Sequence, residues 1–522
     1  MISFSSSLTP APQPPPTPST SLTPEQAAAV SFLTSSTSNL ILSSVAGSGK
    51  TFTILEMLVA INNHFPTARC ALLSYGASIR DELKERVRLR GILNTTVNTV
   101  HGFGLAAFKA KYPKAKTLAF KLFKLLTPLL KKTNTPFSLS ETITKIVTIA
   151  KDSGMGILFP ASSNVWYDII AKHDISWDDN RTSLDKLIRL CSDLFTLSIR
   201  DTDTIDFSDM IWMPLAGGMD FPKYDFVFID EAQDTNATRR EVAKRLLKEG
   251  PNPGRLIAVG DQHQAIFGFT GADNDSLALL QKDFQMETLS LTTSFRCSKA
   301  VIAHAQKIVP HIQARPDAPE GSVSEINELD FHKALIKNPS LHSTSAILCR
   351  KNAPLMSVLL FLASNNIPCR FEGKDQGDSY IRLIKKLEPT SLPDLRHKLN
   401  QHYQTQSAKL PPYKLAALND EISSISTLSY LPHLKTISDL TVFIHSIFSP
   451  LPPNSPPRIT LSSIHKSKGL EWPTVFLLGR NAWMPSKFAT LQWMQEQEAN
   501  LTYVAITRAK ENLIEVLVEE NE

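Results

Sequence analysis

The sequence predicts an α/β protein built on parallel sheets. From residue 22 onward, short apolar and β-branched runs that end in polar loops alternate with helical patterns, which is the order typical of parallel α/β sheets. At roughly 150 residues per domain, the 522 residues form about three or four folding units. The clearest predicted strands are 40–43, 71–74, 226–230, 256–260, 346–349 and 475–478.

Composition excludes several other classes of protein. The hydrophobic fraction of 42% and charged fraction of 20% are ordinary for a soluble chain, and no run of about 18 apolar residues could span a bilayer. The net charge of +5 suits a polyanionic partner without identifying one. The five cysteines lie far apart, without a Cys-x-x-Cys pair, which predicts reduced thiols. With no secretion signal, we expect a cytoplasmic or nucleoid-associated protein.

Three segments interrupt the α/β pattern. Residues 1–20 carry no charge and are rich in Pro, Ser and Thr, so we expect a disordered tail. Residues 108–199 are mostly helical in pattern, and residues 376–448 are helical with prolines and end in the proline-dense stretch 450–457. Both helical stretches are interpreted as insertions into α/β domains.

A phosphate loop is predicted between the first strand and the first long helical run. In Ser44-Val45-Ala46-Gly47-Ser48-Gly49-Lys50-Thr51, the two glycines let backbone N–H groups close around phosphate oxygens at the positive end of the helix. Lys50 would reach the β- and γ-phosphates, and the Thr51 hydroxyl would hold Mg²⁺. Ser44 replaces the first glycine of the strict pattern. The alternative is a glycine-rich surface turn.

The second half of such a site follows the predicted strand 226–230. A hydrophobic run there ends in Asp230 and Glu231, and a metal ligand and a water-activating base are the groups that phosphoryl transfer requires. Asp230 would bind Mg²⁺, and Glu231 would orient and deprotonate the attacking water. A solvated acidic turn is the alternative, which the phosphate loop earlier in the chain disfavours.

Further short strings follow in a fixed order along the chain. They are Thr23-Pro24-Glu25-Gln26, Thr99-Val100-His101-Gly102-Phe103, Asp230-Glu231-Ala232-Gln233-Asp234, Gly260-Asp261-Gln262-His263-Gln264-Ala265-Ile266-Phe267-Gly268-Phe269, Ser294-Phe295-Arg296, His465-Lys466-Ser467-Lys468-Gly469-Leu470-Glu471 and Tyr503-Val504-Ala505-Ile506-Thr507-Arg508-Ala509. With these motifs, the chain from about residue 22 to residue 513 resembles the UvrD/Rep/PcrA family of superfamily 1A DNA helicases.

The resemblance implies two RecA-like P-loop NTPase domains with ATP bound between them, each carrying a mainly helical insertion. The first domain would comprise residues 21–107 and 200–297, interrupted by an insertion at 108–199. The second would comprise residues 298–374 and 456–522, interrupted by a short insertion at 375–455.

The resemblance also implies roles for individual residues at the nucleotide. Gln26 would read the adenine edge, Phe295 would stack on adenine, and Gly469 and Glu471 would complete the nucleotide site. Arg296 and Arg508 would stabilise charge on the γ-phosphate as the cleft closes, for which the alternative is a pair of surface ion pairs. Gln264 would sense the γ-phosphate and relay its loss toward DNA.

The DNA contacts implied by the resemblance are aromatic and imidazole side chains. Phe269 would be a base-stacking platform, with Tyr75, His101 and His465 as supports, since single strands are held by stacking and by cations. For Phe269 and Tyr75 the alternative is a place in the core.

A run of lysines follows the His101 motif. No acidic residue occurs between positions 109 and 140, and the run could bind a phosphate backbone or form a solvated helix face. Its members are Lys109, Lys111, Lys114, Lys116, Lys121, Lys124, Lys131 and Lys132.

Taken together, these features predict an ATP-dependent translocase on single-stranded DNA and a 3′–5′ DNA helicase, using ATP and Mg²⁺ and acting on single strands and 3′-tailed duplexes. The alternative is a DNA-stimulated ATPase sensor subunit that regulates a partner nuclease in recombination or antiviral defence. A third possibility, an inactive scaffold, is disfavoured by Lys50, Glu231, Arg296 and Arg508. No pattern identifies a protein partner.

Overall fold

The structure is a computed structural model that describes residues 22–173, 175, 177, 182–266, 275–407, 410, 412–449 and 458–519. The predicted disordered tail, the proline-dense stretch 450–457 and the predicted stacking residue Phe269 lie outside these residues.

The described strands include all six that the sequence predicts. In chain order they are β1 Leu40–Ser44, β2 Cys70–Ser74, β3 Thr95–Thr99, β4 Lys116–Thr117, β5 Thr204–Ile205, β6 Phe226–Ile229, β7 Arg255–Gly260, β8 Glu287–Leu291, β9 Thr293–Ser294, β10 Gln313–Ala314, β11 Ser322–Asn327, β12 Ser345–Cys349, β13 Cys369–Glu372, β14 Ile459–Ser463, β15 Trp472–Leu478 and β16 Ala509–Leu517.

Helices connect and cover the strands. In chain order they are α1 Pro24–Ser35, α2 Lys50–His64, α3 Ala77–Leu89, α4 Val100–Lys111, α5 Lys121–Lys132, α6 Ser140–Asp152, α7 Ser163–Lys172, α8 Leu184–Arg200, α9 Asp209–Ala216, α10 Ala237–Leu246, α11 Ser276–Phe284, α12 Lys299–Ala305, α13 Glu328–Lys337, α14 Leu341–Thr344, α15 Ala353–Ser364, α16 Lys374–Leu387, α17 Leu392–Ser407, α18 Pro412–Leu428, α19 Ile437–Phe448, α20 Arg480–Trp483 and α21 Gln492–Ile506.

Over the described residues, the longer strands form two six-stranded sheets. The first sheet has the order β3-β2-β6-β7-β1-β8 and the second the order β11-β16-β15-β12-β14-β13. Every strand pairing in both sheets is parallel. The predicted α/β fold with two parallel sheets is therefore confirmed. The arrangement is consistent with two RecA-like domains, and the exact domain boundaries stay a prediction.

Each sheet is buried on both faces, as parallel sheets require. Apolar side chains on opposite faces of the first sheet belong to separate clusters, one around Leu42 and Phe228 and the other around Ile41 and Val227. The second sheet likewise has a core on each face. One of these cores also takes in Ala46 from the predicted phosphate loop, so the two sheets share packing at that point.

The two predicted insertions are helical. Helices α5 to α8 pack around their own core, which includes the fully buried Trp166, while α16 to α19 pack on one face of the second sheet. Among the described residues, no helix has the length and apolarity needed to cross a bilayer. The five cysteines are free, as expected.

The lysine run contains one residue that the sequence pattern places wrongly. The pattern groups Lys121 with lysines that either bind phosphate or face solvent, yet Lys121 is completely buried in the first insertion. Its ammonium group pairs with Asp209 at 2.8 Å and donates to the Ser198 carbonyl oxygen at 2.9 Å. Both alternatives are therefore wrong for Lys121, because its charge is neutralised inside the protein. Lys114 and Lys116 are exposed.

Candidate functional site

Residues 45–49 connect β1 to α2 with the backbone of a phosphate loop. Gly47 and Gly49 have φ angles of +73° and +78°, in the left-handed region that glycine adopts at little cost. Lys50 begins the 15-residue helix α2, and its ammonium group donates to the Val45 carbonyl oxygen at 3.3 Å. The buried Ser48 hydroxyl has no hydrogen-bond partner among the described residues. The loop thus offers N–H and O–H donors at a helix N-terminus, where an anion is favoured.

The acidic residues reach this loop because three strands run side by side. Strands β6, β7 and β1 are neighbours in the first sheet, and their carboxyl ends lead to Asp230, Asp261 and the phosphate loop. A hydrogen bond from the Ser44 hydroxyl to the Gly260 carbonyl oxygen, at 2.8 Å, ties the ends of β1 and β7 together. The predicted phosphate loop and acidic residues therefore meet at one edge of the sheet.

Asp230 and Glu231 are adjacent carboxyls with opposite pKa shifts. Burial, followed by the charge of Glu231, raises the pKa of Asp230 to about 7, although the charge of Lys50 opposes the rise. Burial also acts to raise the pKa of Glu231, but the charges of Lys50 and Lys468, the hydrogen bond from Gln233 and the charge of Arg508 together hold the pKa below its usual value. Glu231 is consequently the carboxyl that stays ionised and able to accept a proton.

A chain of hydrogen bonds connects Glu231 to Gln264. The Gln233 amide donates to Glu231 Oε2 at 2.5 Å, and Gln233 Oε1 accepts from the Asp261 backbone N–H at 3.0 Å. The Gln264 amide in turn donates to Asp261 Oδ2 at 2.6 Å. Since Gln264 and Asp261 are buried, this chain is shielded from water and joins the proton acceptor to the predicted phosphate sensor.

Arg296 and Glu471 are paired with each other. Arg296 Nε lies 2.6 Å from Glu471 Oε2, and Lys510 Nζ lies 2.8 Å from the other carboxylate oxygen. The Arg296 side chain is 16% exposed and that of Glu471 is 36% exposed, so the ion pair considered for Arg296 is present at the edge of the site, with its carboxylate partly open to solvent. Two residues that the resemblance places at the nucleotide are thus brought together.

Arg508 is completely buried. Its guanidinium donates to the carbonyl oxygens of Val504 and Leu470, each at 3.0 Å. Burial, followed by the charge of Arg296, lowers the pKa of Arg508 to about 9, while the charge of Glu231 acts in the opposite direction. The surface alternative is therefore wrong for Arg508, which lies within electrostatic reach of both Arg296 and Glu231.

Two segments from outside the first sheet, helix α21 and the residues after β9, contact the phosphate loop directly. The Tyr503 hydroxyl accepts a hydrogen bond from the Ala46 backbone N–H at 2.9 Å, and both residues are fully buried. The Phe295 backbone N–H donates to the Gly47 carbonyl oxygen at 2.8 Å, while the Phe295 side chain is 41% exposed. The phosphate loop is therefore held by a side chain of α21 and by the backbone that follows β9.

Lys468 forms a second link across the interface. Its ammonium group lies 2.6 Å from Asp234 Oδ2 and donates to the Gln264 carbonyl oxygen at 2.8 Å. Burial raises the pKa of Asp234 to about 6, and the charge of Lys468 opposes that rise. Lys468 therefore bridges the acidic string after β6 and the end of the chain of hydrogen bonds from Glu231.

The remaining predicted nucleotide residues lie around the loop. The Gln26 amide donates to the Ser48 carbonyl oxygen at 3.4 Å, and its oxygen accepts from the Thr23 N–H at 3.1 Å in a capping box that begins α1. Thr51 lies half-buried in the first turn of α2. Gly469 is exposed with a φ of +89°.

Tyr75 and His101 lie in one cleft beside the acidic residues. The cleft is also lined by Arg239, Asp230 and Glu231. The Tyr75 ring lies 4.8 Å from the Arg239 guanidinium carbon and is 37% exposed, so it is not a core aromatic. Burial, followed by the charge of Arg239, lowers the pKa of His101 to about 3, and its ring is therefore neutral at physiological pH.

The His101 ring is covered by an aromatic side chain that sequence reasoning missed. Phe207 stacks on it with ring centroids 3.8 Å apart and an interplanar angle of 28°. Phe207 is 63% exposed, so its outer face is open. His465 is half-buried, and burial together with the charge of Arg350 lowers its pKa to about 3.

Comparison with known proteins identifies the family. Residues 22–285, about half of the chain, match the family model described as the UvrD/REP helicase N-terminal domain. Residues 378–520 match the UvrD-like helicase C-terminal domain. The chain belongs to the UvrD/REP helicase family. It is accordingly a DNA helicase and an ATP hydrolase, and DNA is its substrate.

Curated relatives match this UvrD/REP helicase over most of its length. The ATP-dependent DNA helicase Rep of Salmonella typhimurium is 23% identical, over 96% of the chain and 91% of the relative. Rep of Escherichia coli is 22% identical over the same shares. DNA helicase II of Haemophilus influenzae is 20% identical over 56% of the chain and 55% of the relative. None of these matches supports the alternative of a sensor subunit.

Four residues of the helicase's site were missed by sequence reasoning. Lys468 and Tyr503 lie inside strings that were recognised, but a charge or a hydroxyl in a motif does not indicate its partner. Phe207 is flanked by Asp206 and Ser208. A large aromatic residue between polar neighbours is a signal from which an exposed ring could have been predicted. Arg239 carries no local signal, because its position over Tyr75 depends on the packing of α10.

The Tyr503 contact makes a prediction about Tyr503→Phe. Without nucleotide, this variant leaves the buried Ala46 N–H unpaired, which costs roughly 1–3 kcal/mol, so the thermal midpoint should fall. In saturating nucleotide, phosphate oxygens can accept hydrogen bonds from the loop, so the difference in thermal midpoint between Tyr503→Phe and the parent protein should become smaller. Tyr430→Phe, at a position 64% exposed, is the control and should shift neither midpoint. A gap of equal size with and without nucleotide would contradict this role of Tyr503.

Proposed function

We propose that this helicase moves along single-stranded DNA in the 3′ to 5′ direction and unwinds 3′-tailed duplexes. The observation that supports it best is the adjacency of two sites. The cleft that contains Tyr75 and His101 is also lined by Asp230 and Glu231, so a bound strand and a hydrolysed nucleotide would lie on opposite sides of the same residues. The direction follows from the family resemblance.

The phosphate loop suits a nucleoside triphosphate. The Ser48 hydroxyl has no hydrogen-bond partner among the described residues, and Gly47 and Gly49 have positive φ angles. Such a loop has donors available for phosphate oxygens. Lys50 would hold the β- and γ-phosphates, and Gln26 would lie near the base. Thr51 and Asp230 would hold Mg²⁺, which supplies positive charge at the phosphate oxygens when bound.

Hydrolysis in this proposal depends on residues from both sheets. Glu231, held ionised by Lys50 and Lys468, accepts the proton of the attacking water. Arg508 lies within reach of Glu231 and stabilises charge that develops on the γ-phosphate. Arg296 joins it after exchanging the Glu471 carboxylate for a phosphate oxygen. Phe295, Gly469 and Glu471 then complete the nucleotide pocket.

Loss of the γ-phosphate is relayed to the DNA cleft along a continuous series of polar contacts. From Glu231 the hydrogen bonds run through Gln233 and Asp261 to Gln264, whose carbonyl oxygen accepts from Lys468. Lys468 pairs with Asp234, and the Asp234 carbonyl oxygen accepts from Arg239, the residue over Tyr75. A change at Glu231 can therefore alter the position of an aromatic ring at the strand.

DNA bases would stack on exposed aromatic rings in the cleft and beside it. Tyr75 and Phe207 present open faces, and His101 supports Phe207 from behind. Stacking of this kind has little sequence preference, as a translocase requires. Phe269 and His465 stay predicted DNA contacts. The exposed Lys111, Lys114 and Lys116 of the lysine run would hold phosphates next to the cleft.

The direction is tested by strand displacement with the full-length protein. Duplexes that carry a 3′ tail should be unwound with ATP, whereas duplexes with a 5′ tail of the same length and blunt duplexes should stay intact. Gel separation of the labelled strand measures the product. Preferential unwinding of the 5′-tailed duplex would overturn the direction.

Two substitutions separate nucleotide binding from hydrolysis. Glu231→Gln should lower DNA-stimulated turnover by several orders of magnitude while ATP still binds, because the phosphate cradle is intact and only the proton acceptor is lost. Lys50→Ala should weaken ATP binding as well. Phosphate release and equilibrium binding of a labelled ATP analogue measure the two effects. The control is Glu249→Gln, whose side chain is 82% exposed. Near-normal turnover by Glu231→Gln would refute its role as the base.

The lysine run is tested by the salt dependence of DNA affinity. Replacing Lys111, Lys114 and Lys116 with Gln should flatten the log–log slope by roughly 0.7 for each single-strand phosphate that the variant no longer neutralises. A matched variant replaces three exposed lysines outside the insertion with Gln, and these are Lys223, Lys299 and Lys333. An equal slope for both variants would assign the lysine run to a solvated face.

A further inference from the structure

Phe207 lies in a four-residue segment whose other members are all fixed. Asp206 and Asp209 are buried, with Asp209 completely so, and the half-buried Ser208 accepts at its carbonyl oxygen from the Trp212 backbone N–H at 2.9 Å. Phe207 alone projects outward, onto His101. Residues 206–209 thus form a clamped turn that presents one aromatic ring.

Two completely buried lysines hold these aspartates in place. Lys121 Nζ lies 2.8 Å from Asp209 Oδ2, and Lys151 Nζ lies 2.6 Å from Asp209 Oδ1. Each carboxylate oxygen of Asp209 therefore takes a different lysine. Lys151 also lies 3.5 Å from Asp206 Oδ2. The cluster of Lys121, Lys151, Asp206 and Asp209 is called the lysine–aspartate clamp below.

The clamp reaches three helices of the first insertion. Lys121 is on α5, Lys151 is on α6, and both donate to Ser198 of α8, at its carbonyl oxygen (2.9 Å) and its hydroxyl (2.7 Å). Asp209 is the first residue of α9. The start of α9 is thereby held by three helices that surround it.

The two aspartates also fix the backbone around Phe207. The Asp209 N–H donates to Asp206 Oδ1 at 2.8 Å, and the Asp206 N–H donates to Asp209 Oδ2 at 3.4 Å. These reciprocal bonds close the turn over Phe207 and Ser208. The direction of the Phe207 side chain is therefore set by the same carboxylates that the buried lysines hold.

Stability alone is a weak reason for such a cluster. Removing a lysine ammonium from water costs several kcal/mol, and apolar residues of similar volume often serve a core equally well. Ion pairs with fixed hydrogen-bond directions, in contrast, specify one geometry. A single geometry is what an aromatic ring needs if it is to meet a ligand.

We propose that the lysine–aspartate clamp is a positioning device that holds the Phe207 ring on His101 in the orientation that receives a DNA base. Lys121 and Lys151 act as positioning residues and do not contact the strand. The part of the inference that concerns DNA rests on the proposed function, whereas the part that concerns the Phe207 turn does not.

Hydrogen exchange tests the clamp without DNA. Lys121→Met should speed amide exchange of residues 206–209 about tenfold or more, because Asp209 Oδ2 loses its lysine and keeps only the 3.4 Å bond from the Asp206 N–H. Lys124→Met is the matched control, since Lys124 is on the same helix but exposed. In this variant the amide exchange of residues 206–209 should be unchanged. Ser198→Ala removes one acceptor of the Lys151 ammonium group and leaves both ion pairs to Asp209 in place, so it tests the clamp if Lys121→Met does not fold. Unchanged exchange of residues 206–209 in a folded variant would overturn the proposal.

A double-substitution cycle tests the consequence for DNA. Affinity for a labelled oligo-dT is measured for Ser198→Ala and Lys121→Met in the parent chain and in a Phe207→Ala chain. If the clamp acts through Phe207, each substitution should weaken binding several-fold in the parent and have no further effect in Phe207→Ala. An equal loss of affinity in both backgrounds would indicate a general structural role and overturn the proposal.

The two tests also separate this inference from the function on which it depends. If exchange of the turn accelerates but Phe207→Ala binds oligo-dT as tightly as the parent, the clamp is supported and the stacking role of Phe207 in the proposed function is refuted.

Discussion

The site depends on the parallel direction of the strands. Because all strands of a parallel sheet end at the same edge, residues that follow β1, β6 and β7 become neighbours although they lie far apart in the sequence. The phosphate loop, Asp230 and Asp261 meet for this reason alone. Segments of the second sheet are then added through Tyr503 and Lys468, and the charges in the interface are set by what these segments contribute.

Burial makes the charges in this interface interdependent. Asp230, Glu231 and Asp234 are carboxyls in a region where desolvation acts to raise the pKa of each, and the charges of Lys50, Lys468 and Arg508 with the hydrogen bond from Gln233 keep Glu231 ionised. One of those groups, Lys468, comes from the segment after β14 and reaches Asp234 across the interface. The reactivity of the first sheet's carboxyls therefore depends on the position of the second sheet.

Sequence reasoning succeeds where the signal is local. Strands followed by polar loops, glycines at the phosphate loop and carboxyls after β6 are all readable from neighbours in the chain. It misplaces Lys121 because the absence of acidic residues between positions 109 and 140 suggests an unpaired charge. The partner, Asp209, is 88 positions away along the chain. The Ala46 to Tyr503 bond joins residues 457 positions apart, and the Phe207 stack on His101 joins two separate segments. Such contacts are decided by tertiary packing, on which a single sequence carries no direct information.

Helix α21 connects the phosphate loop to the segment that follows β7. Tyr503 lies in its last turn, Arg508 follows two residues after its end, and Asn500 on the same helix donates to the Ala265 carbonyl oxygen at 3.0 Å. Because Tyr503 and Asn500 lie on one helix and Arg508 follows directly after it, a shift of α21 would move all three residues together. In the proposed mechanism, release of the phosphate loop, displacement of Arg508 and loosening of the segment after β7 would therefore be coupled. Such coupling would make the proposed cycle advance in discrete steps, without a stable state in which the loop is open while Arg508 remains at the nucleotide.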